Sequence, residues 1–191
     1  MRIVAGDWRG RTIAAPGGSS TRPTSDRVRE AVFSAARSRV GDLSGIRVLD
    51  AFAGSGALAF EALSRGAEFA LLVEPDREAR DAIAKNAAAL GAEDRVAVMA
   101  GDVFRMAQRP MQGGPFSLLF LDPPYRIVPA QVSRLLEDLS NNGMLAEDAL
   151  VVYEHSSHAS AEWPIGFDPQ GDRRYGSTKV SYATFEGKRP K

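Results

Sequence analysis

Residues 46–154 alternate short apolar runs with longer amphipathic segments, and this alternation restricts the possible fold more than any other feature. The apolar runs are four to six residues long. Runs of this length, rich in Val, Leu and Phe, are typical of strands buried on both faces of a parallel sheet. We predict strands at 46–51, 69–73, 96–99, 117–121 and 150–154, and helices at 57–65, 77–90 and 130–141. Repeated strand–helix units predict an α/β fold, doubly wound around a mostly parallel sheet with right-handed crossovers.

The carboxyl-terminal end departs from this alternation. Residues 173–176 and 180–185 are predicted to form a terminal hairpin whose strands add an antiparallel edge to the sheet. With the five strands above, the expected sheet has seven strands.

The amino-terminal end predicts a small hairpin followed by a helix. Residues 2–4 and 11–13 flank a turn that contains Gly6 and Gly10, and residues 16–23 indicate a loop. A helix is predicted to begin near Thr24-Ser25. Its apolar stripe would consist of Val28, Ala31, Val32 and Ala35, with the arginines largely off that stripe.

The composition restricts the class of protein. A chain of 191 residues with 44% hydrophobic and 25% charged residues fits one soluble domain with a small appendage. It has no cysteine, which excludes disulfides, thiolate metal sites and a cysteine nucleophile, and its two histidines leave little for zinc. No apolar stretch reaches membrane-spanning length, and the N-terminus lacks the apolar core of a signal peptide. We therefore expect a cytoplasmic protein.

The formal net charge is zero, but the charge is unevenly distributed. Residues 1–39 hold eight arginines, no lysine and three acidic residues. Arginine binds phosphate in a bidentate manner and stacks on bases, so this segment is a candidate polyanion-binding arm. A solvated face in an arginine-rich protein is the simpler alternative. The candidate phosphate contacts are Arg9, Arg11, Arg22, Arg27 and Arg29, which would make binding to a polyanion strongly salt-dependent.

The fourth predicted strand ends in Asp122-Pro123-Pro124-Tyr125. Two consecutive prolines remove two N–H donors and fix φ, so neither a helix nor a sheet can continue. The result is a stiff turn at the edge of the sheet where open α/β folds bind ligands. It presents a carboxylate, backbone carbonyls and a stacking ring, which suit a planar group that carries an amine. A turn that merely stops a strand is the structural alternative.

Three earlier strand ends suggest a nucleoside site. The first strand leads through Asp50 into a loop with Gly54 and Gly56, which permit a tight turn and close approach of a ligand. Asp50 would bond a ligand's amine or order the amides of the loop. Glu74, at the end of the second strand, is placed to bind ribose hydroxyls, and Asp102, after the third, an adenine amine. The predicted cofactor-binding residues are Asp50, Phe52, Gly54, Ser55, Gly56, Glu74, Pro75, Asp102 and Val103.

Each of these signals has an alternative explanation. The segment from Gly54 to Ala59 also fits the dinucleotide fingerprint, so an NAD(P) enzyme is a competing hypothesis. Asp102 and Glu74 could each be helix N-caps. Their order along the chain, together with the turn at Asp122, favours a nucleoside ligand beside an amine.

In these features the chain resembles class I S-adenosylmethionine-dependent methyltransferases that act on amino groups of nucleic-acid bases, which share a Rossmann-like fold. Among them it is similar to the RsmD family, which methylates the N2 amine of guanine in small-subunit (16S) ribosomal RNA. Ala5-Gly6 departs mildly from the Gly-Gly that this family often has. The resemblance covers nearly the whole chain, at residues 4–11, 22–30, 50–58, 61–67, 122–125 and 175–176.

The resemblance implies an activity, a donor and partners. The methyl donor would be S-adenosyl-L-methionine, without a metal, and the partner ribosomal RNA or the small ribosomal subunit, with no membrane and a monomeric protein. Residues 1–40 would be a basic RNA-binding extension and residues 41–191 the methyltransferase domain. The catalytic residues would be Asp122, Pro123, Pro124 and Tyr125, and Arg126 would contact the phosphate of the target nucleotide.

The chemistry of an exocyclic amine explains how the turn from Asp122 to Tyr125 would promote methyl transfer. The amine is a poor nucleophile, so the protein must position it and stabilise the charge that develops on it. Asp122 and the carbonyl of Pro123 would accept its hydrogens, and Tyr125 would stack on the base, worth about 1–3 kcal/mol. The target must be unpaired or flipped out of a helix.

Three other functions compete with this one. A protein glutamine methyltransferase has a similar turn, normally with Asn in place of Asp122. An adenine-N6 nucleic-acid methyltransferase shares the turn but usually has a larger recognition segment. A non-catalytic RNA-binding module would explain the arginines but not the strand ends. The choice of guanine over adenine, and of the nucleotide modified, depends on the resemblance alone.

Overall fold

A computed structural model describes residues 1–16 and 26–187, with Asp26 and Arg27 described by their backbone alone. These residues form a sheet of seven strands in the order β3-β2-β1-β4-β5-β7-β6. The strands are β1 (Arg47–Asp50), β2 (Phe69–Glu74), β3 (Val96–Ala100), β4 (Phe116–Leu121), β5 (Leu145–Ser156), β6 (Phe167–Tyr175) and β7 (Thr178–Phe185). The α-helices are α1 (Asp26–Val40), α2 (Ala57–Ser64), α3 (Arg77–Leu90), α4 (Val103–Met106) and α5 (Pro129–Asn141).

The sheet has the predicted topology. Strands β1 to β5 pair in parallel, β7 pairs antiparallel to β5, and β6 pairs antiparallel to β7 at the edge. The Rossmann-like fold with a carboxyl-terminal antiparallel hairpin is therefore confirmed. Three elements differ most from the predictions. Strand β5 begins at Leu145 rather than residue 150, and β6 begins at Phe167 rather than residue 173. The short helix α4 was not predicted because four residues are too few to show a helical period.

Helices cover both faces of the sheet, so the strands alternate between two hydrophobic cores. Val48 and Phe120 belong to one core and Leu49 and Leu119 to the other, all with no exposed surface. Side chains alternate along a strand, so a continuous apolar run buries both of its faces. No helix in residues 1–16 and 26–187 is long and apolar enough to cross a membrane.

The amino-terminal segment packs on the same core as the sheet. Its two short arms meet at a bridge between Arg2 and Thr12, as predicted for a small hairpin, and Ile3, Trp8 and Ile13 are buried in the first core. The predicted loop at 16–23 lies, except for Pro16, outside the described residues, and so does Arg22.

Helix α1 corrects one predicted RNA contact. Val32 and Ala35 are buried as predicted, but the buried face is wider than the predicted stripe and also includes Arg29, Phe33 and Ala36. Arg29 is therefore 1% exposed, and its guanidinium donates to the carbonyl of Arg2 at 2.6 Å. The prediction that Arg29 contacts RNA phosphate is wrong because the side chain holds the amino-terminal hairpin and does not face solvent.

The turn of the amino-terminal hairpin makes a close contact with α2 that requires glycine. Gly6 has φ of +84°, and a Cβ atom there would lie 1.8 Å from the carbonyl oxygen of Ser64. That oxygen also accepts the N–H of Asp7 at 2.8 Å, so it is held in place. Gly10 has the same φ of +84° but open space around it.

We expect Gly6→Ala to destabilise the protein more than Gly10→Ala. Both substitutions strain the backbone by about 1–2 kcal/mol, because a left-handed φ disfavours a Cβ atom. Gly6→Ala adds an overpacking cost of about 1–3 kcal/mol. Denaturant unfolding of the two variants measures the difference, and equal losses of stability would contradict the contact with Ser64.

Candidate active site

A cleft of about 1150 Å³ lies at the carboxyl ends of β1 to β5. The structure brings most of the predicted site residues together there, although they are spread over 77 positions of the chain, from 50 to 126. The predicted residues that line it are Asp50, Phe52, Gly54, Ser55, Glu74, Pro75, Asp102, Val103, Asp122, Pro123, Pro124, Tyr125 and Arg126.

The remaining predicted residues lie elsewhere. Gly56 does not line the cleft: it has φ of +78°, and a Cβ atom there would lie 2.7 Å from the ring of Phe60. Its place in the sequence is explained by packing at the start of α2. Arg9 and Arg11 are exposed on the amino-terminal hairpin, where Arg11 donates to the carbonyl of Ala89. The side chain of Arg27 lies outside the described part of the chain.

Glu74 orders the glycine loop. Its carboxylate accepts the N–H of Gly54 at 2.7 Å with one oxygen and the N–H of Asp76 at 2.9 Å with the other. Asp76, not Glu74, is the N-cap of α3. Gly54 has φ of +52° and open space where a Cβ atom would be. Each oxygen of Glu74 keeps a second lone pair, so the carboxylate can hold the loop and accept hydroxyl groups of a ligand.

Asp50 is a buried carboxyl group with an altered acidity. It is 2% exposed, and burial, together with the nearby charge of Glu74, raises its pKa to about 7. Hydrogen bonds from the backbone N–H groups of Ala59 and Phe52 act in the opposite direction. Asp50 therefore links the glycine loop at Phe52 to the first turn of α2 at Ala59, and it can also attract a cationic group of a ligand.

An aromatic pair flanks Asp102. Its side chain caps α4 by accepting the N–H of Phe104 at 2.9 Å, which is the alternative role considered above. The rings of Phe104 and Phe52 lie 5.9 Å apart, and both line the cleft. Phe104 was missed in the sequence, where its position two residues after Asp102 was the available signal. The two rings provide an apolar wall suited to a planar group.

The turn after β4 combines a sheltered acceptor with an exposed ring. Asp122 is half-buried and Pro123 buried, whereas Tyr125 is 69% exposed. The N–H of Ile127 donates to the carbonyl of Pro124 at 2.9 Å and closes the turn. The exposed ring can stack on a planar substrate without moving.

Strand β5 and the β6–β7 turn complete the cleft with residues that were not among the predicted site residues. They are Glu154, His155, Tyr175, Gly176, Ser177 and Thr178. Both ring nitrogens of His155 make hydrogen bonds. Nδ1 lies 2.9 Å from the carbonyl of Ser156, and Nε2 lies 2.8 Å from the hydroxyl of Ser181. Burial lowers the pKa of His155. A neutral ring with Nδ1–H donating to the carbonyl fits both contacts.

The described residues contain no cluster of His, Asp and Glu suited to a metal ion.

Several known proteins similar to this chain are named as ribosomal RNA methyltransferases. The family model described as conserved hypothetical protein 95 matches residues 1–184. Ribosomal RNA small subunit methyltransferase D of Escherichia coli (strain K12) is 41% identical over 155 residues, which cover 81% of this chain and 74% of that protein. The protein of the same name from Haemophilus influenzae is 34% identical over 155 residues, covering 81% and 78%.

Solved structures give the same picture of the fold. The yhhF protein of Escherichia coli superimposes with a TM-score of 0.84 at 30% identity, covering 98% of this chain and 99% of that one. An RNA methyltransferase from Salinibacter ruber in complex with S-adenosyl-L-homocysteine has a TM-score of 0.64 at 19% identity, covering 88% and 97%. The similarity to the Salinibacter ruber enzyme concerns the fold alone. The resemblance to the RsmD family found in the sequence is confirmed by the first set of relatives.

Proposed function

The chain belongs to the family described as conserved hypothetical protein 95, and from that premise we propose that it methylates small-subunit ribosomal RNA with S-adenosyl-L-methionine as the donor. We further propose that the acceptor is the N2 amine of a guanine. One observation carries the proposal: the glycine loop after β1 and the turn after β4 open into one cleft, and β1 and β4 are adjacent strands.

The half of the cleft over β1, β2 and β3 suits the donor. The rings of Phe52 and Phe104 would flank its adenine, and the carboxylate of Glu74 would accept the ribose hydroxyls. Asp50 would face the cationic amino-acid end. S-adenosyl-L-methionine supplies an activated methyl group on a sulfonium.

The half over β4 suits the amine. The carboxylate of Asp122 and the carbonyl of Pro123 would each accept an N–H of the amine, which turns the nitrogen lone pair out of the ring plane. Tyr125 would stack on the base, and its exposure fits a target that enters from solvent. As the methyl passes from the sulfonium sulfur to the nitrogen, S-adenosyl-L-homocysteine would be left, and the adjacent Asp122 carboxylate would stabilise the positive charge on the nitrogen until it loses one proton to water. Among the predicted phosphate contacts, Arg9, Arg11 and Arg126 are exposed and remain candidates.

The test is a labelled-methyl assay on RNA and on small subunits from a strain that lacks the enzyme, followed by mapping of the modified base. We expect N2-methylguanosine at one position. Label recovered as N6-methyladenosine would reject guanine as the acceptor, label in protein would favour a protein methyltransferase, and no transfer to either substrate would reject the proposal.

The raised pKa of Asp50 predicts how donor affinity depends on pH. A cationic ligand binds the ionised carboxylate, so below a pKa of about 7 a proton must be released on binding. We expect the Kd for S-adenosyl-L-methionine to fall up to about tenfold per pH unit as the pH rises toward 7, and then to level off. Calorimetric titrations between pH 5.5 and 7.5 cover this change while most of the ligand's α-amino group, whose pKa is about 8, stays protonated.

The matched variant for this prediction is Asp50→Asn. It keeps the size of the side chain but cannot ionise, so its Kd should be higher at neutral pH and nearly independent of pH. A wild-type Kd that does not change across this range would show that Asp50 does not face the cationic end of the donor.

A further inference from the structure

Five carboxylates line the cleft among the described residues, one at the carboxyl end of each parallel strand. Across the sheet from β3 to β5 they are Asp102, Glu74, Asp50, Asp122 and Glu154. The first three accept backbone N–H groups around the proposed donor site. The fourth would hold the amine. The fifth, Glu154, has no task in the reaction described above.

Register places Glu154 beside Asp122. Leu121 of β4 pairs with Tyr153 of β5 in parallel, so Asp122 and Glu154 are the next residues along two adjacent strands. Adjacent strands lie about 4.8 Å apart. Phe120 and Val152, two residues earlier on each strand, share one core, so both carboxylates fall on the same face of the sheet and both line the cleft.

This neighbour matters because guanine and adenine differ in the ring nitrogen beside the amine. In guanine the N2 amine is next to N1–H, which is a donor. In adenine the N6 amine is next to N1, which is an acceptor. A carboxylate is an acceptor only, so it can bond the guanine edge, whereas it repels the lone pair of adenine N1.

We propose that Glu154 is a specificity-determining residue that accepts the N1–H of the target guanine while Asp122 and the Pro123 carbonyl hold its amine. The inference rests on the proposed function and extends it to the choice of base. The order of the strands supports this assignment. If the donor lies over β1 to β3 and the amine over β4, then N1, the ring atom beside the amine, faces β5. Thr178 also lines the cleft, and its hydroxyl is a candidate donor to guanine O6.

The test compares two bases at the mapped target position of the RNA. One RNA carries guanine and the other 2-aminopurine, which keeps the 2-amino group but has an acceptor at N1. The wild type is compared with Glu154→Gln and with Glu147→Gln. Glu147 is an exposed residue near the other end of β5 and provides the same chemical change away from the cleft.

We expect the wild type to prefer guanine over 2-aminopurine, and Glu154→Gln to lose kcat/KM on guanine RNA by roughly 10- to 100-fold, the range for a hydrogen bond to a charged group. On 2-aminopurine RNA the kcat/KM of Glu154→Gln should stay close to that of the wild type, because the amide of the glutamine can donate to N1. Glu147→Gln should behave as the wild type, and donor affinity should be unchanged in both variants.

Two results would overturn the inference while leaving the proposed function intact: an equal loss of kcat/KM on both RNAs, or no loss on guanine RNA. Failure of the wild type to methylate any ribosomal RNA is distinguishable from these, since it would overturn the proposed function and this inference with it.

Discussion

Asp122→Ala is expected to lower the kcat of methyl transfer by about 10²–10³-fold, the range found when one preorganised hydrogen-bonding group is removed from a developing charge. The substitution removes the acceptor that would orient the amine and the carboxylate that would stabilise its positive charge. The donor site over β1 to β3 is untouched, so the Kd for S-adenosyl-L-methionine should stay close to that of the wild type. Single-turnover assays on the target RNA, with calorimetry for the donor, measure the two quantities separately.

Two further variants make this result specific. Asp122→Asn keeps an acceptor oxygen but loses the charge, so it should retain part of the activity that Asp122→Ala loses. Asp94→Ala removes an exposed carboxylate just before β3, at the opposite end of that strand from the cleft, and should leave kcat unchanged. Substantial turnover by Asp122→Ala would exclude the proposed role of this carboxylate.

Glu61→Ala is expected to cost about 3–5 kcal/mol in the free energy of unfolding, as when one partner of a buried ion pair is removed. Glu61 lies on α2 with no exposed surface. Its two oxygens accept the backbone N–H groups of Val4 at 2.7 Å and Ala5 at 3.0 Å, and the guanidinium of Arg65 donates to it at 2.7 and 2.8 Å. Alanine would leave two N–H groups and a cation without their acceptor.

The matched control is Glu68→Ala. Its carboxylate is 60% exposed and lies 3.8 Å from Arg47, so its removal should change stability by no more than about 0.5 kcal/mol. Denaturant unfolding of both variants makes the comparison. Similar stabilities for Glu61→Ala and Glu68→Ala would show that the amino-terminal hairpin does not depend on this buried carboxylate.

The contacts of Glu61 illustrate what sequence patterns do not contain. The predicted hairpin at the amino terminus was correct in outline, but its attachment to α2 joins residues 56 and 57 positions apart. Glu61 has the sequence context of an ordinary helical glutamate. Glu61 is buried because the amino-terminal hairpin packs over it. The residues next to Glu61 in the sequence give no sign of this contact.

Arg29 shows the same limit from the opposite direction. The buried face of α1 is wider than the predicted apolar stripe and includes Arg29, which was expected to face solvent. The helical period alone is compatible with a buried or an exposed Arg29, because the long aliphatic part of arginine can pack like an apolar side chain. The carbonyl of Arg2, which the guanidinium reaches, decides between them.

The features that depend on neighbours in the chain could be predicted from the amino-acid sequence. Buried strands and their helices follow from apolar runs and periodicity, and the turn from Asp122 to Tyr125 follows from two prolines, so the parallel sheet and the strand ends that line the cleft were predictable. Only the tertiary structure placed Glu154 beside Asp122 and paired Phe104 with Phe52. Those relations depend on strand order and register, which arise when segments tens of residues apart pack together.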